Sequence, residues 1–547
     1  MLFLSVLLFL CSLNPSSQYK VLVFNPAYGG SHSNYLGKIT DILIEDGHEV
    51  TMLIPVYLND KKHLVGSKKV TKIVKIGQDQ RAKKIISQGG VEEILRARIW
   101  TMEPQMTSLL GMIDRMNTAV AYQCEYIFQQ TEILNSLRDE HFDLGITESL
   151  FACGFAVLDH IGVKTVINAD SNLYKEATKY AHGEPASMSY VPALFSPNND
   201  KMSFWARVKN IGMVAFTSYL FGSRYTKELD VIKFYYNGTK TWNEHLSDVA
   251  FYFVNSNRYL DYARPTLPKT VFVGGVQVNT KKTGKVTLDK EWDDLLNLRK
   301  LNVLVSFGSI AFSSDMPDSF KNAFLEVFSM MPNVTFIWKY EEPNAKLANH
   351  LDNVKLTTWM PQNDLLADSR LSLFVTHGGL GSTMELAYNG KPAVIIPLLS
   401  DQPRNGHMLS RHGGVFELHK SKLSSAADLK KAIETVLNDP KYTENAKKLG
   451  KVLEDQPYQP KDVVLRHCNF AVQYGTLDTL ASEGRNLNVF QFYSLDIAFA
   501  AFILLLIVTV ILFFTVRKLL RIFGHILYRI IFSDNSCSQR VEKPKNE

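Results

Sequence analysis

Between Phe374 and Gln402 the residue types and their spacing suit the binding of a diphosphate and a sugar. A β-rich run, Phe374-Val375-Thr376, leads into His377-Gly378-Gly379-Leu380-Gly381 and then into a helical pattern, Ser382-Thr383-Met384-Glu385. A strand that ends in a glycine-rich turn and opens a helix leaves backbone N–H groups and the positive end of the helix dipole facing outward, a good seat for pyrophosphate. Glu385 stands one helical turn beyond Gly381 and can accept from ribose hydroxyls. Asp401-Gln402 follows the next strand and can both accept from and donate to sugar hydroxyls. The same glycines imitate a dinucleotide fingerprint, with an acid 20 residues beyond Gly381. Met384 occupies the place of the third glycine, however, and the segment sits on a late strand of its sheet, which argues against that reading.

A second turn of interest, Gly29-Gly30-Ser31-His32, follows the first strand. Taken alone, His32 reads as a loop histidine with no partner. Glu148 ends the strand candidate Phe142–Thr147, whereas Asp143 starts it and reads as structural. No Asp-x-Asp pair appears in the body, so a metal-free mechanism is expected.

Alternating β and α patterns must position these groups. Residues 19–25 and Glu49–Ile54 flank a helical stretch and form a parallel βαβ unit, and Phe142–Thr147, Val163–Asn168, Ala250–Val254 and Val271–Val273 continue the strands. Residues 200–245 are aromatic-rich and read as helical. The pattern restarts with Val303–Phe307, Thr335–Trp338, Val354–Leu356, Ser372–Thr376 and Ala393–Pro397. Two doubly wound Rossmann-like α/β lobes follow, facing a cleft and joined through the polar stretch Gln277–Leu288, with ligands at the carboxyl ends of the strands.

The chain of 547 residues is 46% hydrophobic and 21% charged, which excludes disordered and collagen-like classes. Its net charge of +6 is uneven: residues 517–547 hold seven Lys/Arg against three Asp/Glu, leaving 53 against 51 elsewhere. So neutral a body offers no basic face for nucleic acid. Five cysteines, at 11, 124, 153, 468 and 537, allow one disulfide in the body and require none.

The two ends bear on the compartment. Leu2–Leu10 followed by small residues reads as a signal peptide over 1–17. Residues 497–516 carry no charge and no proline, enough for a helix of about 30 Å across a bilayer. Arg517, Lys518 and Arg521 follow, so a single-pass type I topology with a cytosolic basic tail, 517–547, is expected. Sequons at Asn237 and Asn333 are compatible with a lumenal body.

The stretch 374–402 resembles, without a gap, the signature of the UDP-glycosyltransferases, whose membrane-bound animal members are the UDP-glucuronosyltransferases. Ser306-Phe307-Gly308-Ser309, Trp359-Met360-Pro361-Gln362 and Gly29-Gly30-Ser31-His32 extend the likeness, which covers the whole chain. The resemblance implies a GT-B fold, with an acceptor-binding lobe over 18–276 and a nucleotide-sugar lobe over 277–490. By the same likeness Trp359 stacks on uracil and Gln362 bonds near the base or ribose. Ser309, His377, Gly379 and Ser382 hold the diphosphate, Glu385 the ribose, and Asp401 and Gln402 the sugar. His32 becomes the catalytic base and Glu148 its orienting carboxylate.

The implied reaction is inverting transfer of glucuronic acid from UDP-glucuronate to a hydroxyl of a small lipophilic acceptor, a conjugation used in detoxification. UDP-glucose is the alternative donor, and a catalytically silent binding protein is the alternative of another class. Two departures bear on this: Glu148 stands where vertebrate members usually carry Asp, and Gly381 where they usually carry Asn. Lys543 and Lys545, fifth and third from the C-terminus, resemble a dilysine signal for retrieval to the endoplasmic reticulum. Oligomeric state is left open, a homo-oligomer included.

Overall fold

The computed structural model describes residues 18–88, 98–101, 106–236, 238–278 and 288–533. The expected signal peptide, Asn237, most of the stretch between the lobes, Lys543 and Lys545 lie outside them.

Thirteen strands among the described residues form two sheets in which every pairing is parallel. The first sheet comprises β1 (Lys20–Phe24), β2 (Glu49–Pro55), β3 (Lys72–Ile76), β4 (Leu144–Thr147), β5 (Val166–Asp170), β6 (Phe251–Val254) and β7 (Thr270–Phe272), in the order β3-β2-β1-β4-β5-β6-β7. The second comprises β8 (Leu301–Ser306), β9 (Val334–Lys339), β10 (Val354–Thr357), β11 (Leu371–Thr376), β12 (Ala393–Ile395) and β13 (Val415–Glu417), in the order β10-β9-β8-β11-β12-β13. Near-continuous apolar runs such as Val21–Phe24 and Val303–Val305 are fully buried, as parallel strands covered on both faces require.

Sequence patterning finds eleven of these strands and misses β3 and β13. Both are edge strands. Lys-Ile-Val-Lys-Ile keeps only its last residue buried, and Val415–Glu417 is three residues long, so neither shows a long apolar run. The aromatic-rich stretch forms the helices Phe204–Ile232 and Trp242–Ser247.

Residues up to Arg485 form one compact unit, and both sheets lie within it. The lobes interlock. Trp100 inserts among the core residues of the second sheet, 5.0 Å from the Phe307 ring, and its indole N–H donates to the Phe312 carbonyl. Arg404 reaches Asp261 at 2.8 Å, and the Tyr388 hydroxyl donates to the Gly274 carbonyl at 2.7 Å. The helix Pro460–Tyr474, late in the chain, lays Val464, Cys468 and Ala471 in the core of the first sheet, so the polypeptide crosses back to the lobe where it began. Cys124 and Cys153 form a disulfide, and Cys468 is a buried free thiol.

From Asn486 a second unit begins, containing the helix Leu495–Ser533. It is longer than the expected 497–516, continuing past Arg517, Lys518 and Arg521. Its segment Leu495–Phe532 is long and apolar enough to cross a membrane.

Candidate active site

β1, β4 and β5 are neighbours in the first sheet, so their carboxyl ends converge. His32 lies in the first turn of the helix Gly30–Glu45 after β1, Glu148 directly follows β4, and Ser171 directly follows β5. The His32 Nδ1 lies 2.9 and 3.0 Å from the two Glu148 carboxylate oxygens. Ser171 Oγ donates to Glu148 Oε2 at 2.8 Å and stands 2.6 Å from the same imidazole nitrogen. Sequence reasoning missed Ser171, for a serine after a strand carries no signal until the neighbouring strand ends are known.

The Glu148 side chain is fully buried while 14% of the His32 side chain stays exposed. Burial alone would depress the imidazole pKa. The Glu148 charge and hydrogen bond, helped by Asp170, outweigh that effect and raise it above 6.5. A carboxylate at Nδ1 also fixes the proton there and leaves Nε2 as the acceptor.

A second buried layer pins the backbone behind Glu148. Ser149 N donates to Asn168 Oδ1 at 3.0 Å, Ser149 Oγ to Asp170 Oδ2 at 2.7 Å, and the Tyr225 hydroxyl to the Ser149 carbonyl. Lys175 Nζ bridges Asp170 (2.6 Å) and the Ser149 carbonyl (2.8 Å), both charged side chains being fully buried. Burial works to raise the Asp170 pKa, but Lys175 and the donors around it hold it below its ordinary value. A buried ion pair of this kind fixes geometry more reliably than it adds stability.

The second sheet presents its own groups at its strand ends. Ser309 follows β8 and is exposed, and a Cβ built on Gly30 would lie 3.8 Å from its hydroxyl, so the two lobes meet here. His377 follows β11 and packs where side chains on Gly308 or Gly379 would collide with it, a Cβ at either coming within 2.7 Å of the ring. Gly308 moreover holds a left-handed φ of 85°, which favours glycine. Burial, with Lys339 nearby, lowers the His377 pKa to about 4, so the ring is neutral near pH 7. Lys339, unremarked in the sequence, donates to the Gly308 carbonyl and brings a cation beside this turn.

Gly379 caps the helix Leu380–Asn389 without a side-chain hydrogen bond, which leaves the helix's first N–H groups to other partners. Gln362 Nε2 donates to Glu385 Oε2 at 2.6 Å and to Ser382 Oγ at 3.1 Å, joining three of the expected donor-binding residues in one network. Burial raises the Glu385 pKa to about 7, with the Gln362 hydrogen bond opposing it. Trp359 is 67% exposed. Gln402 Oε1 accepts from the N–H groups of Leu398 and Leu399 at 2.8 and 3.0 Å, so this side chain also shapes the preceding loop. Asn405 donates to Asp401 Oδ2 at 2.8 Å; burial raises the Asp401 pKa, and the opposing charges include His32 on the other lobe. At Gly381, a Cβ would lie 3.4 Å from the side-chain nitrogen of Gln277.

Two parallel Rossmann-type sheets, with a polar site assembled from the strand ends of both, define a GT-B glycosyltransferase. The fold is also that of solved glycosyltransferases. A glycotransferase of kitacinnamycin superposes with a TM-score of 0.56 at 15% identity, covering 83% of this chain and 99% of that one. A UDP-glucosyltransferase from Polygonum tinctorium gives 0.55 at 14%, with the same coverage. Residues 19–529 match the family model described as UDP-glucoronosyl and UDP-glucosyl transferase, and the chain belongs to that family. Curated relatives include the putative UDP-glucuronosyltransferase ugt-48 of Caenorhabditis elegans, 27% identical over 91% of this chain and 94% of that protein. UDP-glucuronosyltransferase 1A1 of Rattus norvegicus is also 27% identical, over 92% and 91%.

Proposed function

We propose that this enzyme is an inverting transferase that moves glucuronic acid from UDP-glucuronate to a hydroxyl of a small lipophilic acceptor. The observation that carries the reading is the His32–Glu148 pair, hydrogen-bonded at the carboxyl ends of β1 and β4 and within electrostatic reach of Asp401 on the facing lobe.

The acceptor hydroxyl gives its proton to His32 Nε2 while its oxygen bonds to the anomeric carbon. The bond from that carbon to the diphosphate oxygen breaks, and UDP leaves from the opposite face, which inverts the α-linked donor to a β-glycoside. Glu148 stabilises the imidazolium; general-base help of this kind contributes about 10²–10⁴-fold in rate. Charge growing on the leaving diphosphate meets Ser309, His377, the N–H groups of Gly379 and Ser382, and the Lys339 ammonium. Trp359 stacks on uracil, Gln362 and Glu385 take the nucleoside, and Asp401 with Gln402 take the sugar. The name of the rat relative supports glucuronate as the sugar, while the family description spans glucosyl transfer as well. Donor competition on membranes containing the chain, read by mass spectrometry, decides between them by the product mass. No UDP release with any of a panel of phenols would instead favour a silent binding protein.

The same reading places the enzyme in the endoplasmic reticulum membrane, its body lumenal after removal of 1–17 and its tail cytosolic. Asn333 is exposed in the turn before β9, open to glycosylation, and Asn237 is the second acceptor. Replacing Lys543 and Lys545 with serine is expected to release glycosylated protein to the cell surface. Unchanged endoglycosidase H sensitivity would refute retrieval by these lysines.

A further inference from the structure

The helix Phe204–Ile232 brings an arginine to the chain that leaves β4. Arg224 Nη1 donates to the Leu150 carbonyl at 3.4 Å, and Leu150 stands two residues beyond Glu148. Arg224 Nε donates to Asn117 Oδ1 at 3.0 Å, and buried Asn117 in turn donates to Ser223 Oγ at 3.2 Å. The guanidinium is thus oriented from one side. Its Nη2 has no hydrogen-bond partner among the described residues, and Arg224 is only half-buried.

An arginine stays cationic at any physiological pH. No carboxylate pairs with this one among the described residues. Asp114, three residues before Asn117, is taken by Lys227 Nζ at 2.5 Å. Glu228 lies one turn further along the same helix and is fully buried. Burial pushes its carboxyl up to about 8, against the Cys153 N–H and Arg224, so it is neutral near pH 7. A half-buried guanidinium with a free nitrogen and no counter-charge favours an anion brought from outside.

Aromatic rings connect Arg224 to the catalytic base. The guanidinium carbon lies 5.7 Å from the ring centres of both Phe151 and Phe221. Tyr28 meets Phe151 edge-on at 5.5 Å and His32 edge-on at 6.2 Å. Such rings suit a planar aromatic ligand with one polar end at His32 Nε2 and the other at Arg224.

We propose that Arg224 selects the acceptor, an aromatic hydroxyl compound that carries a carboxylate at the end remote from its hydroxyl. The carboxylate accepts from Nη2 and from the remaining N–H of Nη1. The inference rests on the transferase reading with His32 as base, and it narrows the acceptor from lipophilic molecules in general to amphipathic aromatic acids.

The test compares a hydroxybiphenyl carboxylate with its methyl ester as acceptors for the full chain in membranes. UDP-glucuronate and UDP-glucose are supplied separately, and transfer to the phenolic oxygen is read by mass spectrometry. The wild type is expected to favour the acid over the ester by about tenfold or more in kcat/KM, chiefly through KM. Arg224→Gln is expected to remove that preference. Arg224→Lys, which keeps a charge without the fork, is expected to retain part of it. A wild type that uses both acceptors equally, favours the ester or leaves the acid untouched overturns the proposal. So does a preference that survives in Arg224→Gln with both acceptors losing equally, which assigns Arg224 to structure alone. If Arg224→Gln does not fold, seen as lost UDP binding, the wild type and Arg224→Lys still decide. No transfer to these acceptors or to any of the panel of phenols defeats the transferase reading and this assignment with it. Transfer without a preference for the acid defeats only the assignment.

Discussion

The two rims of the site are built differently. On the first lobe the His32 Nδ1, the Glu148 carboxylate and the Ser171 hydroxyl are bonded to one another, only His32 Nε2 being left for the acceptor, and a further buried layer of Ser149, Asp170, Lys175 and Tyr225 holds the backbone behind them. On the second lobe the helix Leu380–Asn389 starts without a side-chain cap, and Trp359 is two-thirds exposed. Proton transfer needs a fixed geometry and a tuned pKa, which protein contacts supply in advance. Binding needs groups left open to the ligand, and the uncapped helix end and Trp359 are such groups, while Gln362, Glu385, Asp401 and Gln402 are held in place by hydrogen bonds within the lobe.

The contrast is most sharply tested at His32. His32→Ala is expected to lower kcat by about 10²–10⁴-fold while calorimetry shows UDP binding unchanged. Full activity would remove the proposed mechanism; lost UDP affinity would show that the rims are not separable.

Glu148 gives the next largest effect. Glu148→Gln keeps a group that can orient the ring but not one that stabilises its charge, so kcat falls by less than in His32→Ala. Its pH dependence has a definite sign. The wild-type base is protonated, and idle, below a pKa raised above 6.5. Removing the Glu148 charge leaves burial to dominate, so the acid limb of the kcat/KM profile moves to lower pH. An unmoved limb would dissociate Glu148 from the titration. Glu148→Asp is expected to impair the enzyme, since the pinned Ser149 backbone cannot follow the shorter acid.

On the binding rim, Asp401→Asn and Gln402→Ala are expected to weaken nucleotide-sugar binding roughly tenfold, about 1.4 kcal/mol, with UDP affinity nearly kept. Equal loss of UDP would refute their assignment to the sugar. The loop hydrogen bonds of Gln402 make its variant the more damaging to stability.

The smallest effect is a proton count. Ribose hydroxyls donating to Glu385 favour its ionised form, and its pKa near 7 means that UDP binding at pH 7 releases a fraction of a proton. Calorimetry in buffers of different ionisation enthalpy measures this. Zero linkage, or linkage surviving in Glu385→Gln, would place the ribose elsewhere.

Much of this was legible in the linear sequence because it is written in local chemistry. Apolar runs identify the central strands, the glycine-rich turn at 377–381 marks an anion seat, and the uncharged run 497–516 marks a membrane-length helix. Each lies in one contiguous stretch of at most 20 residues. What the tertiary structure decided is pairing across distance. Only the order β1-β4-β5 brings Glu148, 116 residues away, and Ser171, 139 residues away, to the same imidazole nitrogen. Only packing selects Cys124 and Cys153 for the disulfide and leaves Cys468 buried as a thiol. The two edge strands and the return of the helix Pro460–Tyr474 to the first sheet belong with these. Their side chains gain burial from partners far along the chain, and spacing within a segment carries no record of those partners.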